Sequence, residues 1–291
     1  MALRVSRRLF MGAAGAAAFG SVLAVPDRSG SKGRAAAGQL AGRIKKAVKF
    51  QMVREKLSVV DKFKLLKDLG FDGVEAYHRM KLDPAELVRA RDATGLPIHG
   101  VTGAGHDLAG AIELARVCGA TSVLVVAGRV NKQTRYDENY RATQQWIREA
   151  IPLAQKHGLR LLIENVWNNF LLSPLEMVRY IDELDTETVG SYFDVGNVVR
   201  FGWPEQWIRI LKHRIGKLDI KEYSRKKQMN EGLRKGFDVE LGEGDCDWPA
   251  VRKALAEINY RGWATAEVPG GDRKRLADIA QRMDRVLELS P

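Results

Sequence analysis

The chain has 291 residues, 45% of them hydrophobic, and a formal charge of +11. That is enough apolar material for a full core, in one large α/β domain or two small ones. The charge does not mark a nucleic-acid face: of 47 basic and 36 acidic residues, six and one fall in the first 36 positions. The remaining 41 against 35 are spread through helical stretches, as on a solvated surface.

In chain order, residues 1–37 read as a twin-arginine signal peptide and linker. Ser6-Arg7-Arg8-Leu9-Phe10-Met11 carries the paired arginines, and an Ala/Gly-rich run over 12–25 follows. That run is shorter and milder than the roughly 20 strongly apolar residues a bilayer span needs, so export without stable membrane insertion is expected, to the periplasm or beyond the cell. A disordered basic tail is the alternative, and cleavage after Ala24 or after Ala37 fits equally. Cys118 and Cys246 are the only cysteines. Two such residues make neither a disulfide framework nor a zinc site.

From residue 47 onward, short β-branched apolar runs alternate with amphipathic stretches. Strands are predicted over 48–53, 73–77, 97–101, 122–127, 160–165, 189–194, 216–221 and 263–268. After the first, Val59, Phe63, Leu66 and Leu69 recur at helical spacing, and Gly70 stops the helix. Gly95, Gly119, Gly158 and Gly262 fall where a residue of positive φ ends a helix. Strict alternation of strand and helix implies parallel strands, and eight such units predict a single (β/α)8 TIM barrel over residues 45–291. A doubly wound open sheet is the rival fold. It would carry a glycine-rich turn after its first strand, where this chain has Arg54-Glu55-Lys56.

Acids recur late in these strands: Glu75, Glu164, Asp194, Asp219 and Glu267, on five of the eight. An unpaired carboxylate there costs several kcal/mol of desolvation, and a barrel brings its strand ends to one mouth. A divalent, oxygen-preferring cation among them, Mn²⁺ or Mg²⁺ with Co²⁺ and Zn²⁺ also compatible, relieves the repulsion. Pairing of each acid with a barrel lysine or arginine is the alternative. Lys221 follows Asp219 by two residues and so points into the same mouth, as substrate contact or as salt-bridge partner. His99 ends a strand, where it either lines the mouth or serves as a structural histidine. Trp167-Asn168, Trp203 and Trp248 lie in loops beyond strand ends, where a tryptophan either packs in the core or rim or offers a face to a ligand.

The segments Val74-Glu75, Ile163-Glu164-Asn165, Phe193-Asp194-Val195-Gly196-Asn197, Asp219-Ile220-Lys221-Glu222, Gly242-Glu243-Gly244-Asp245 and Glu267-Val268-Pro269-Gly270 resemble the xylose isomerase-like sugar isomerase/epimerase superfamily. Ketose 3-epimerases and hydroxypyruvate isomerase are members of it. The resemblance covers nearly all of residues 47–288. It implies a metal held by Glu164, Asp194, Asp219 and Glu267, with Glu164 and Glu267 as acid and base on opposite faces of a sugar. Asp219 departs from the histidine usual at the third position, which makes the site more anionic and favours harder cations. The resemblance also implies substrate contacts from Arg225, and from Asn197 where epimerases carry a histidine; Glu75, His99, Asn168 and Lys221 complete the expected substrate-binding set. The triple-zinc endonucleases built on this barrel need several histidines, and here His157 and His213, two of five, fall on helical stretches.

The expected activity is therefore metal-dependent isomerisation or epimerisation, through an enediolate, of a small non-phosphorylated ketose or keto-sugar. A lyase cleaving keto-glycosides by the same route and a non-catalytic sugar-binding barrel are the alternatives. No nucleic-acid partner is expected, and homo-oligomerisation is left open.

Overall fold

A computed structural model describes residues 38–80 and 82–289. The twin-arginine segment and linker, read over 1–37, lie outside the described residues. In chain order the elements are β1 (Ile44–Lys49), α1 (Val59–Asp68), β2 (Gly73–Tyr77), α2 (Pro84–Thr94), β3 (Ile98–Thr102), α3 (Leu108–Cys118), β4 (Ser122–Val125), α4 (Tyr136–Lys156) and β5 (Arg160–Glu164). They continue with α5 (Pro174–Asp182), β6 (Val189–Asp194), α6 (Val195–Val199), α7 (Pro204–Leu211), β7 (Ile215–Ile220), α8 (Arg225–Glu231), α9 (Trp248–Glu257), β8 (Gly262–Ala266) and α10 (Arg273–Leu287).

The strands close in sequence order, and β1 pairs in parallel with both β2 and β8. This is the expected (β/α)8 barrel. Helices begin where short polar side chains satisfy free N–H groups: Ser58 caps α1, Asp83 α2, Asp107 α3, Ser173 α5 and Asp247 α9. Gly95 and Gly119 close α2 and α3 in the left-handed conformation. Gly262 does not play that part. After α9 the left-handed residue is Asn259, at φ 55°, and Gly262 opens β8 against the Tyr260 hydroxyl, 2.7 Å from where a Cβ would stand.

The main core lies between barrel and helices. It takes the outward strand residues, such as Val123, Val125, Leu161, Ile163 and Phe193, and the apolar faces of the helices. Leu124, Leu162 and Tyr192 form a separate small cluster. They alternate with the outward set, so they fill the barrel interior. Inward positions above them carry the acids: Glu164 is two residues past Leu162, and Asp194 two past Tyr192.

The first strand differs from its predicted span of 48–53. It runs Ile44–Lys49, and Phe50–Met52 coil into a 3-10 turn. The shift places Lys49, not Val53, at the barrel mouth.

Candidate functional site

Four strand ends bring their acids to one cluster. Glu164 is the last residue of β5 and Asp194 the last of β6; Asp219 is next to last in β7, and Glu267 directly follows β8. The Glu267 N–H donates to the Ile220 carbonyl at 3.0 Å, which extends the β7–β8 pairing by one step and aims the side chain inward. One carboxylate oxygen from each of the four acids lies within 4.8 Å of the others. Glu164, Asp194 and Asp219 are buried, and the Glu267 side chain is 33% exposed, so the cluster opens on its Glu267 side.

The backbone around Asp194 explains its aim. Its Oδ1 accepts from the Asn197 N–H at 2.8 Å and caps the short helix α6, leaving Oδ2 for the cluster. Asn165 clasps the same peptide from β5: its Oδ1 accepts from Asp194 N–H and its Nδ2 donates to the Asp194 carbonyl. Gly196 lets this turn approach β7, because a Cβ there would stand 2.7 Å from Lys221 Cβ and 2.8 Å from the Lys221 backbone. The run Phe193–Asn197 thus combines an acid of the cluster, a cap and a close approach.

Two ammonium groups bridge the acids. Lys49 Nζ donates to Asp219 Oδ2 at 2.9 Å and lies 3.1 Å from Glu267 Oε1. Lys221 Nζ lies 2.9 Å from Asp194 Oδ2 and 2.8 Å from Glu267 Oε2. Both oxygens of Glu267 are thereby held, while Glu164 makes no ion pair among the described residues. Burial would push Glu267 up, but Lys49 and Lys221 outweigh it and bring its pKa to about 2. For Glu164, burial and the nearby Glu267 push the value up to about 8; for Asp194, burial carries it to about 6 against the pull of Lys221. Asp219 is raised by burial, with Lys49 opposing.

These residues fit a divalent cation. With all four carboxylates ionised, as around a cation, the two ammonium groups leave two negative charges, and Asp219 Oδ1 is buried with no hydrogen-bond donor. The acids offer only oxygen, the donor type of hard cations. A cluster of this kind can bind a metal.

Beneath the cluster lies a second polar layer. Glu75 is fully buried and accepts from the Tyr192 hydroxyl at 2.9 Å; Tyr192 and Thr265 share a hydrogen bond of the same length. Burial raises Glu75 and lowers Lys217, the latter to about 8. The Lys217 ammonium donates to the His99 carbonyl. His99 occupies the second position of β3, stacks on Trp263 at 4.4 Å and bonds Thr265 through Nε2. Burial first, then Lys217 and Lys49, keep its imidazole neutral. Glu75 and His99 therefore belong to the barrel interior rather than to its open end.

The other expected substrate residues hold the loops. Asn168 Nδ2 donates to the Gly128 carbonyl and its Oδ1 accepts from Phe170 N–H, tying the loops after β4 and β5. Asn197 Nδ2 donates to the Asn165 carbonyl, and its Oδ1 faces Lys221 Nζ at 3.4 Å. Arg225 donates to the carbonyls of Val199 and Gly202 and lies under Trp203, its guanidinium 5.6 Å from the ring. Trp248 is buried, whereas Trp203 is 54% exposed. Trp167, Tyr223 and Phe237 pack together with centroids 4.7–5.4 Å apart, and Lys221 sits over Phe237. Cys118 and Cys246 are buried free thiols.

Lys49 is a side chain of the cluster that the strand-end acids alone do not reveal. A charged residue ending the apolar run Ala47-Val48 is the same signal that marked the acids. The predicted span 48–53 puts Lys49 near the start of the first strand, whereas the strand ends on it.

The family model described as xylose isomerase-like TIM barrel matches residues 63–288. Among curated proteins, an inosose dehydratase of Clostridium perfringens is 23% identical over 188 residues, spanning 60% of this chain and 59% of that protein. The chain thus matches well under two thirds of that relative's length. Among solved structures, a 3-keto-D-glucoside 4-epimerase from E. coli superposes with a TM-score of 0.68 at 16% identity, over 84% of this chain and 98% of the other. A D-allulose 3-epimerase from Methylomonas sp. gives 0.67 at 16%, over 84% and 96%. At such identity, these two show a shared fold.

Proposed function

Because the chain belongs to the xylose isomerase-like TIM barrel family, we propose that it is a metal-dependent sugar isomerase or epimerase acting on a non-phosphorylated ketose or keto-sugar. The observation that carries this reading is the meeting of four carboxylates within 4.8 Å with only two ammonium groups among them. Mn²⁺ or Mg²⁺ suits the all-oxygen donor set.

Glu164, Asp194, Asp219 and Glu267 would hold the cation. Bound there, it would supply a Lewis acid for the carbonyl and neighbouring hydroxyl oxygens of a sugar, which acidifies the C–H of the hydroxyl-bearing carbon. The chain's own residues do the rest. Glu164, with no ammonium on it, takes that proton on its carboxylate, and the electron pair left on carbon enters the enediolate. Return of the proton to the neighbouring carbon gives isomerisation. Epimerisation instead needs a proton on the opposite face of the same carbon, where Glu267 relays one from the Lys221 ammonium 2.8 Å from its Oε2, while Glu164 releases the abstracted proton to solvent and Lys221 takes one up. Lys221, at the more open side of the cluster, donates to the substrate oxygen on which charge collects.

Elimination is the second reading, favoured by the relative named as an inosose dehydratase. It begins with the same proton abstraction and ends with the electron pair expelling a β-hydroxyl or β-glycosyloxy group, which leaves with a proton. A non-catalytic sugar-binding barrel would need its acids balanced by lysines, and here lysines neutralise only half of them. Export by the twin-arginine route fits this substrate class, since phosphorylated sugars are mostly cytoplasmic.

The test uses Mn²⁺-supplied protein, free keto-sugars and D₂O, followed by NMR. Wild type should exchange the substrate α-proton, and Glu164→Gln and Glu267→Gln should each abolish exchange. Unchanged exchange in both variants sinks the proposal. A rearranged sugar identifies an isomerase or epimerase, and an unsaturated one a lyase.

A further inference from the structure

We propose that Lys49 is a built-in counter-ion of the cation centre: it takes one oxygen of Asp219, leaves the other as a single-oxygen ligand, and holds divalent-metal affinity down. The inference rests on reading the mouth as a metal centre, and it concerns how that centre is tuned. Lys49 Nζ donates to Asp219 Oδ2 at 2.9 Å, while Asp219 Oδ1 remains buried without a donor. A lysine serving only to neutralise one buried acid would be expected to face that acid alone. Lys49 instead spans two strands and also stands 3.1 Å from Glu267 Oε1.

The lysine on the other side has a different position. The Lys221 side chain is 18% exposed against 6% for Lys49, reaches Asn197 and lies over the Phe237 ring. A substrate entering the mouth meets Lys221 first, and Lys49 is left with the acids. An ammonium cannot ligate a metal. Its fixed charge beside two ligand carboxylates therefore acts against an incoming dication. Removing Lys49 takes the cluster from two net negative charges to three and frees Asp219 Oδ2. The metal should then bind more tightly.

The experiment is a Mn²⁺ titration of the purified full-length protein at neutral pH, read by calorimetry and by the EPR signal of free Mn²⁺, so that binding is measured without activity. Against wild type, Lys49→Met should tighten binding at least about tenfold. Asp219→Asn should weaken it at least about tenfold. The double variant buries no unpaired charge from the pair, so it remains informative if Lys49→Met does not fold. It should bind at least about tenfold more tightly than Asp219→Asn. Lys49→Met with unchanged or weaker affinity, or a double variant no tighter than Asp219→Asn, overturns the role given to Lys49 while leaving the metal centre standing. Absence of Mn²⁺ binding from wild type and every variant overturns both.

Discussion

Glu164 and Glu267 share a side chain and a cavity, but not a charge environment. Two ammonium groups hold Glu267 ionised, and none reaches Glu164. The folded pKa of Glu164, about 8, lies above the value of about 4.3 of an unfolded chain, so folding takes up a proton between the two. The stability tied to that proton is complete below about pH 4.3 and lost as pH rises through about 8. In chelator, wild-type protein should melt progressively lower between about pH 5 and pH 9, and Glu164→Gln should flatten that slope. The variant should gain a few kcal/mol at about pH 9, or roughly 5–10 °C in Tm, and nothing at about pH 4. Superposable melting profiles would remove the claim that Glu164 is buried without a partner. The acids were legible in sequence because an apolar strand rarely ends in a charge without a reason. The roles of Asn168 and Arg225 were not, since an amide or guanidinium that ties loop carbonyls looks, in sequence, like one that waits for a sugar. His99 and Glu75 were hidden by depth: strand parity says which side a residue faces, but not how far down the barrel it lies.

At the level of elements, five of the six sequence segments fell in order at the open ends of the strands or in the loops beyond them, while Val74-Glu75 lies within β2, deeper in the barrel. Boundaries were less legible, and β1 shows the physical reason. Ile44–Lys49 and Phe50–Val53 are both largely buried, so apolar content alone does not separate the strand from the turn that follows. Glu222 shows another limit. It follows the inward Lys221, so alternation assigns it to the outside, yet it is only 1% exposed. Residues 241–248 fold back on it, and its carboxylate accepts from the backbone N–H groups of Tyr223, Gly242 and Cys246 and from Trp248 Nε1. Glu222→Ala leaves those donors without an acceptor and should cost about 3 kcal/mol or more. Hydrogen exchange should accelerate at the amides of Gly242 and Cys246 while β5 and β6 keep their protection. Uniform acceleration across the barrel would mean that Glu222 supports the whole fold rather than one loop.

For the whole molecule, the proposed cation binding and folding are one equilibrium. The barrel gathers four acids that an unfolded chain keeps apart, so a cation bound only to the folded state raises stability by about 2.7 kcal/mol at a hundred times its dissociation constant. Mn²⁺ or Mg²⁺ should therefore raise Tm by several degrees at neutral pH, and chelator should reverse the gain. Protons compete for the same oxygens. With Glu164 at about 8 and Asp194 at about 6, the metal-induced gain should shrink as the solution is acidified and vanish near about pH 4. If the shift were equal in wild type and in a variant with Glu164, Asp194 and Glu267 all changed to amides, the cation would be binding elsewhere, and the mouth of the barrel would lose its chemistry.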